Sequence, residues 1–321
     1  RRRVCCGWHR NCRPNMADVE RGADERTVYL DGELRSQAAA RISIDDHGVL
    51  YGLGYFETFR TSGGHPHLWG RHRRRLLEAC ARVNIKVPSR FLACDESRLR
   101  QIVGMQLNAH GLADGVFRYT ITAGQPRTEK RSVSYEQPSE WLTLRPLPLP
   151  AAPEGVTLRV LELPRDGGEW VPRPKSLNFS NALLGGHELI RRGHGEDEGL
   201  FLSRPGRHVV ETARQNVAWI SDGRFYFPDP VLGAVAGSCL QWLLDLGVDV
   251  QPCLACPKDI ASAEAVVLLN SVRGVTPVRT LWDPRDRSVL GSWESQVHPL
   301  VVSVRREWTE ALRATAAYAV S

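Results

Sequence analysis

The chain of 321 residues is 42% hydrophobic and 24% charged, ordinary globular usage that excludes a disordered or fibrous protein. No apolar run approaches the roughly 18 residues that a membrane-spanning helix needs, so no membrane partner is expected. The formal charge of +6 is concentrated in residues 1–15, whose five arginines and no acids leave the other 306 residues at +1, which makes no case for a nucleic-acid partner.

Residues 1–25 form a leader that is Arg-rich up to Pro14 and polar from Met16 onward. It lacks the apolar segment of a secretory signal. It reads as a transit segment, a basic arm or translated sequence upstream of a start at Met16, disordered or artefactual in the folded protein. From Val28 the pattern becomes regular. V-Y-L-D-G-E-L predicts a hairpin over a tight Asp-Gly turn. Residues 41–70 predict short strands punctuated by glycines, Arg71–Val83 and Arg98–His110 helices, and Gly115–Thr122 a strand.

A proline-rich stretch, R-P-L-P-L-P-A-A-P-E-G, then interrupts all periodicity. The expected organisation is therefore a smaller N-terminal α/β domain over residues 26–147, a linker over 148–154 and a larger C-terminal domain over 155–321. The second half opens on an alternating strand at 156–163 and continues with a helix from Phe179 to Arg192. N-V-A-W-I and R-F-Y-F flank a Ser-Asp-Gly turn. Val235–Ser238 leads into a helix through Leu246, A-V-V-L-L-N is a buried strand, and Leu300–Ala317 is the last helix. Strands and helices mix in both halves without a repeat, so the fold class is two-domain α/β or α+β.

Eight cysteines in a chain of this length do not make a disulfide framework, and a reducing, cytoplasmic compartment is expected. Cys253 and Cys256 have the spacing of a zinc or redox pair, but no second ligand pair accompanies them, and they read as small residues of a strand. No metal site is expected. Lysine is scarce: Lys86, Lys130, Lys175 and Lys258 stand against 38 arginines. Where arginine supplies generic positive charge, a retained lysine points to what arginine cannot do, which is to lose a proton and attack a carbonyl.

Lys175 follows Pro172 and Pro174 and precedes a helix, a stiff approach that would hold an amine still; a solvated loop lysine is the plainer alternative. G-A-V-A-G-S-C precedes an apolar helix, and its small residues with free N–H groups suit a phosphate, though Gly and Ser also cap helices routinely. Among Arg71, Arg73, Arg74 and Arg75, the last adjoins a buried position and could turn inward to grip a phosphate in bidentate fashion. Glu211 at a strand end could meet a pyridinium nitrogen or simply end the strand. Asn270 and Ser271 present an amide and a hydroxyl at another strand end. No H-E-x-x-H, G-x-S-x-G, Walker A or G-x-G-x-x-G motif is present.

The order of these signals along the chain resembles the fold-type IV pyridoxal-phosphate enzymes, which include branched-chain and D-amino-acid aminotransferases and 4-amino-4-deoxychorismate lyases. The resemblance runs from about Val28 to Val278. It rests on S-I-D-D-H-G-V-L-Y-G-L-G-Y-F-E-T-F-R, on H-R-R-R-L with Arg75, on P-K-S-L-N with Lys175, on E-T-A-R-Q-N with Glu211, on G-A-V-A-G-S-C, and on L-N-S-V-R-G-V-T-P-V with Ser271. It implies a smaller α/β domain and a larger domain with a barrel-like sheet. It also implies pyridoxal 5'-phosphate as cofactor, Lys175 as the Schiff-base lysine and Glu211 at the ring nitrogen. Arg75, Ser238, Cys239 and Ser271 would hold the phosphate. Phe56 and Arg118 are candidate substrate contacts, although strand alternation could turn Arg118 away.

The sequence departs from the family pattern at Leu53, Thr212, Arg214, Gln215 and Leu240, which bears on the substrate pocket. The implied function is amino-substrate chemistry in a homodimer, with the lyase favoured. The first signature looks closest to lyase-like members, and Ala123 stands where D-amino-acid aminotransferases place a carboxylate-binding arginine. A branched-chain or D-amino-acid aminotransferase is the alternative. A basic-armed binding module or inactive homologue is the non-enzymatic one.

Overall fold

The computed structural model describes residues 26–125, 134–168, 170–204, 207–283 and 288–317; the leader lies outside them. Strands β1 (Thr27–Leu30) and β2 (Glu33–Ser36) make the expected hairpin, with Asp31 and Gly32 both at positive φ, as a tight turn between twisted strands requires. Where only strands were expected, a short helix α1 (His47–Tyr51) intervenes. Asp46 starts it by accepting the Gly48 N–H at 2.6 Å, and Gly52, left-handed, ends it. Then come β3 (Gly54–Ser62), β4 (His65–Pro66), α2 (Trp69–Arg82), α3 (Glu96–Ala109), β5 (Gly115–Thr122) and β6 (Glu140–Pro146).

The strands form one antiparallel sheet in the order β2-β1-β6-β5-β3-β4. Helix α2 buries Trp69, His72, Leu76, Ala79 and Cys80, a single stripe at helical spacing that packs on the sheet's inner face around Phe59 and Tyr119. Asp95 caps α3 through the Arg98 N–H.

A second sheet takes up the rest of the chain. Its strands are β7 (Val156–Val160), β8 (Glu198–Leu202), β9 (Val209–Thr212), β10 (Asn216–Ser221), β11 (Arg224–Pro228), β12 (Val250–Cys253), β13 (Ala265–Asn270), β14 (Gly274–Asp283) and β15 (Ser288–Ser292). The helices are α4 (Ser180–Arg191), α5 (Ser238–Asp245), α6 (Pro257–Ala261) and α7 (Pro299–Ala317). Strand β7 stops at Val160, short of the expected Leu163, because the N–H groups of Glu162 and Leu163 donate to the Glu188 carboxylate of α4 instead of to a strand. Cys253 closes β12 while Cys256 opens α6, so the strand expected over both cysteines holds only the first.

The sheet order is β12-β11-β10-β13-β14-β7-β8-β9, with β15 on β14. Only residues 213–215 separate the edge strand β9 from β10 near the opposite edge, so the sheet curls into a half-barrel. Both faces are covered. On β10 and β13, Ala218, Ile220, Val267 and Leu269 pack beneath α5 and α7, while Val217, Trp219, Val266 and Leu268 pack towards α6. That is why A-V-V-L-L-N reads as an unbroken apolar run. Among the described residues, no helix is long and apolar enough to cross a membrane, and no group of three or more His, Cys, Asp or Glu is arranged to hold a metal.

Candidate active site

One cavity between the two sheets is lined by Lys175, Arg75, Glu211, Ser238, Cys239, Ser271, Phe56 and Arg118, which are all eight residues singled out from the sequence. The lysine is held by backbone pairing on both sides. Its carbonyl accepts the Phe56 N–H and the Leu177 N–H reaches the Gly54 carbonyl, both at 2.9 Å, so the segment adds to the free edge of β3. Two residues earlier, the Arg173 N–H reaches the Ala234 carbonyl at 3.3 Å in the second sheet's loop. The stretch 173–177 therefore spans the two sheets, and the prolines at 172 and 174 stiffen it.

The Lys175 Nζ lies 4.9 Å from the Phe56 ring centroid and 5.6 Å from that of Phe179. Burial and the Arg75 charge bring its pKa down to about 8, and Glu57 and Glu211 only partly oppose them. An amine so placed is available in its neutral, nucleophilic form close to neutral pH.

Arg75 projects from α2 into the cavity. Its Nε and Nη2 donate to the two oxygens of Glu57 at 2.7 and 2.5 Å, and its Nη1 donates to the Ala236 carbonyl at 2.5 Å. Glu57 is fully enclosed. Burial alone would raise its pKa, but Arg75 and His72 prevail and hold it at about 2. Against that carboxylate the His72 Nδ1, 2.6 Å from Glu57 Oε2, is a donor, and the Ser238 hydroxyl lies 3.2 Å from the same nitrogen. Burial lowers the His72 pKa. A continuous chain of polar contacts thus links β3, α2 and the start of α5.

Ser238 and Cys239 are the first residues of α5, whose N-cap, Gly237, offers no side chain to cover their N–H groups. That position admits only glycine, since a Cβ would sit 1.9 Å from the Asn216 Oδ1, and Asn216 is itself fixed by its bond to the Val235 carbonyl. Exposed helix-start donors beside a guanidinium make an anion site. Burial pushes the Cys239 thiol well up, so its part in the site is its backbone N–H, not a nucleophilic sulfur. The Ser271 hydroxyl lines the same wall and donates to the Thr58 carbonyl at 2.8 Å.

Glu211, the next-to-last residue of β9, has both oxygens engaged. Oε1 accepts from Nε and Nη2 of Arg165 at 3.0 and 2.7 Å, and Oε2 accepts the Val235 N–H at 3.0 Å. Arg118 is not turned away. It lines the cavity with its guanidinium 3.5 Å from the Phe56 ring centroid.

Two of the departures from the family pattern acquire structural reasons. The Thr212 hydroxyl accepts the Gln215 N–H at 3.1 Å and shapes the β9–β10 connection, and Leu240 is core. Sequence reasoning missed Glu57, His72 and Arg165 as working parts. A charged residue inside the apolar strand Y-F-E-T-F was the available signal for Glu57.

The model of the family described as amino-transferase class IV matches residues 54–281, a span that includes all eight of the cavity residues named from the sequence. The chain belongs to that family. It is accordingly a pyridoxal-phosphate-dependent lyase or transaminase, and the residues present fit the group: an amine of lowered pKa, an anion site at a helix start and a buried carboxylate. The chain is 32% identical to an aminodeoxychorismate lyase of Vibrio harveyi, over 77% of this chain and 89% of the relative. It resembles the crystal structure of 4-amino-4-deoxychorismate lyase from Pseudomonas aeruginosa with a TM-score of 0.71 and 28% identity, over 88% of this chain and 98% of that one. A branched-chain aminotransferase from Thermoproteus uzoniensis shares the fold, with a TM-score of 0.73 and 21% identity over 89% and 95% of the two chains.

Proposed function

We propose that the protein is a 4-amino-4-deoxychorismate lyase, which expels pyruvate and leaves 4-aminobenzoate. The observation that carries this reading is the chamber around Lys175, walled by Phe56 and Phe179 and topped by the Arg118 guanidinium, which suits a flat cyclic acid bearing an amine. The similarity to two lyases at 28% and 32% identity supports it. When bound, pyridoxal phosphate supplies an aldehyde for amines and an electron-withdrawing ring. Arg75, the Ser238 and Cys239 N–H groups and the Ser271 hydroxyl would hold its phosphate, and Glu211, fixed by Arg165, would face its ring nitrogen. Lys175 takes the proton from the carbon that bears the substrate's amine, and Arg118 holds a carboxylate.

The same lysine and glutamate could serve an aminotransferase. The apolar rings beside Lys175 favour a branched-chain substrate in that reading, and the shared fold with an enzyme of that name keeps it in view. We read residues 26–147 and 155–321 as two domains joined by 148–154, since among the described residues no strand is shared between the sheets. A homodimer would cover the exposed Val49, Leu50 and Tyr51 of α1 and Leu183, Leu184 and Ile190 of α4. The test incubates the purified protein with aminodeoxychorismate and, separately, with branched-chain or D-amino acids plus 2-oxoglutarate. Formation of 4-aminobenzoate with no glutamate is expected, from a species sedimenting at twice 35.9 kDa. Glutamate without 4-aminobenzoate would replace the lyase by the transaminase.

A further inference from the structure

Arg75 and Ser238 also line a second cavity, of about 280 Å³, whose walls do not include Lys175. One wall is a face of α2. Arg71, Arg74, Arg75, Glu78 and Arg82 line it, positions three or four apart that fall on one side of the helix. The facing wall is the stretch 172–174 that leads to Lys175, beside the start of α5. The arginine run seen in the sequence is thereby divided by use. Arg73 lies off this face and donates to the Ala93 carbonyl at 2.5 Å, Arg75 is committed to Glu57, and Arg71 and Arg74 belong to the second cavity.

The donors there outnumber the acceptors. Arg71 pairs with Asp245 and the Arg173 Nη2 with Asp166, the latter at 2.6 Å. Glu78 stands one turn from both Arg74 and Arg82, yet among the described residues it pairs with neither, and neither arginine has another carboxylate. The Arg82 guanidinium rests instead 5.9 Å from the centroid of the Trp170 ring. Arg173 comes from the opposite wall. It is 6% exposed, and its Nη1 is buried without a hydrogen-bond partner among the described residues. A guanidinium nitrogen enclosed in this way carries a desolvation cost that an anion in the cavity removes.

We propose that this second cavity binds a small phosphorylated ligand, distinct from the cofactor, which Arg74 and Arg82 hold from α2 and Arg173 from the stretch before Lys175. Phosphate suits these donors better than a carboxylate does. Its oxygens accept from several directions, whereas a carboxylate offers one planar fork. The volume, near the roughly 300 Å³ at which small-molecule sites begin, leaves room for an ester group. Such a ligand ties α2 to the segment that carries the lysine, so its binding stabilises the frame of the active site whichever reaction that site performs.

The test titrates inorganic pyrophosphate into the holoenzyme after borohydride has fixed its cofactor, so that the cofactor's own phosphate position stays filled. Calorimetry is expected to show one saturable site per chain, at least tenfold tighter than for acetate at equal ionic strength, with the thermal unfolding midpoint raised by several degrees at saturation. In Arg74→Gln/Arg82→Gln, pyrophosphate weakens at least tenfold and its effect on unfolding disappears, while the cofactor's visible absorbance before reduction is unchanged. Arg173→Lys, which keeps a charge beside Asp166 but removes the unpartnered Nη1, weakens pyrophosphate in the same direction and serves if the double variant fails to fold. Binding without saturation, acetate equal to pyrophosphate, or undiminished affinity in the variants would each overturn the site.

Discussion

Lys175 is chemically useful because of what surrounds it. Its backbone is fixed on both sides, aromatic rings flank its stem, and burial with Arg75 draws its pKa down to about 8. Arg75 in turn is aimed by Glu57, a carboxylate held at about 2 by the Arg75 charge and the His72 hydrogen bond. Because the folded-state pKa of Glu57 lies below its ordinary value of 4.5, its contribution to stability is complete above that pH and is lost as pH falls from 4.5 towards 2. Replacing it in Glu57→Gln leaves Arg75 and His72 without their anion and is expected to cost roughly 3 kcal/mol of stability. The variant should also bind pyridoxal phosphate at least tenfold more weakly. Thermal unfolding and cofactor titration across pH 3–7 check both effects; unchanged affinity would show that Arg75 needs no such support. Of the eight cavity residues expected from the sequence, most were legible because they sit in short motifs. Glu57 and His72 lie inside two of those motifs but gained no role there, and Arg165 lies in none, because the contacts that give them one are formed only in the fold: His72 meets a serine 166 positions away and Arg165 a carboxylate 46 positions away.

At the level of elements, the site depends on the start of α5. Gly237 lets Asn216 press against the helix entrance, and Asn216 secures the loop that carries Val235, which donates to Glu211. Gly237→Ala would place a methyl 1.9 Å from the Asn216 Oδ1, so the helix start or the asparagine must move. The expected outcome is a folded protein whose phosphate grip is weakened, with pyridoxal phosphate affinity down by one to two orders of magnitude and the far-ultraviolet circular dichroism preserved. Wild-type affinity in that variant would remove the helix start from the phosphate site. Most helices and the strands at 115–122 and 265–270 were legible from their residue patterns, because each has its own amphipathic or fully apolar signature. The short α1 was hidden by β-prone residues around it, and its existence depends on a single Asp46 cap. Strand β7 ended early for a reason invisible locally, the Glu188 carboxylate reaching from α4.

At the scale of the whole molecule, neither sheet holds the site alone. The first sheet contributes Phe56 and Arg118 and the helix α2 packed on it Arg75; the curled second sheet contributes Glu211, its β13–β14 turn Ser271 and its helix α5 Ser238 and Cys239; and the segment carrying Lys175 is hydrogen-bonded to both halves. The curl, which no single strand's pattern encodes, returns β9 beside β10 and so brings Glu211 and Asn216 to one wall. The central claim is that this one amine, among the chain's four lysines, receives the cofactor. The most direct measurement adds borohydride to the protein loaded with pyridoxal phosphate, digests it and locates the modified peptide by mass spectrometry. The account predicts one reduced cofactor per chain, on Lys175, with no modification and activity lower by several orders of magnitude in Lys175→Ala. A cofactor trapped on Lys86, Lys130 or Lys258, or near-normal turnover in Lys175→Ala, would contradict it.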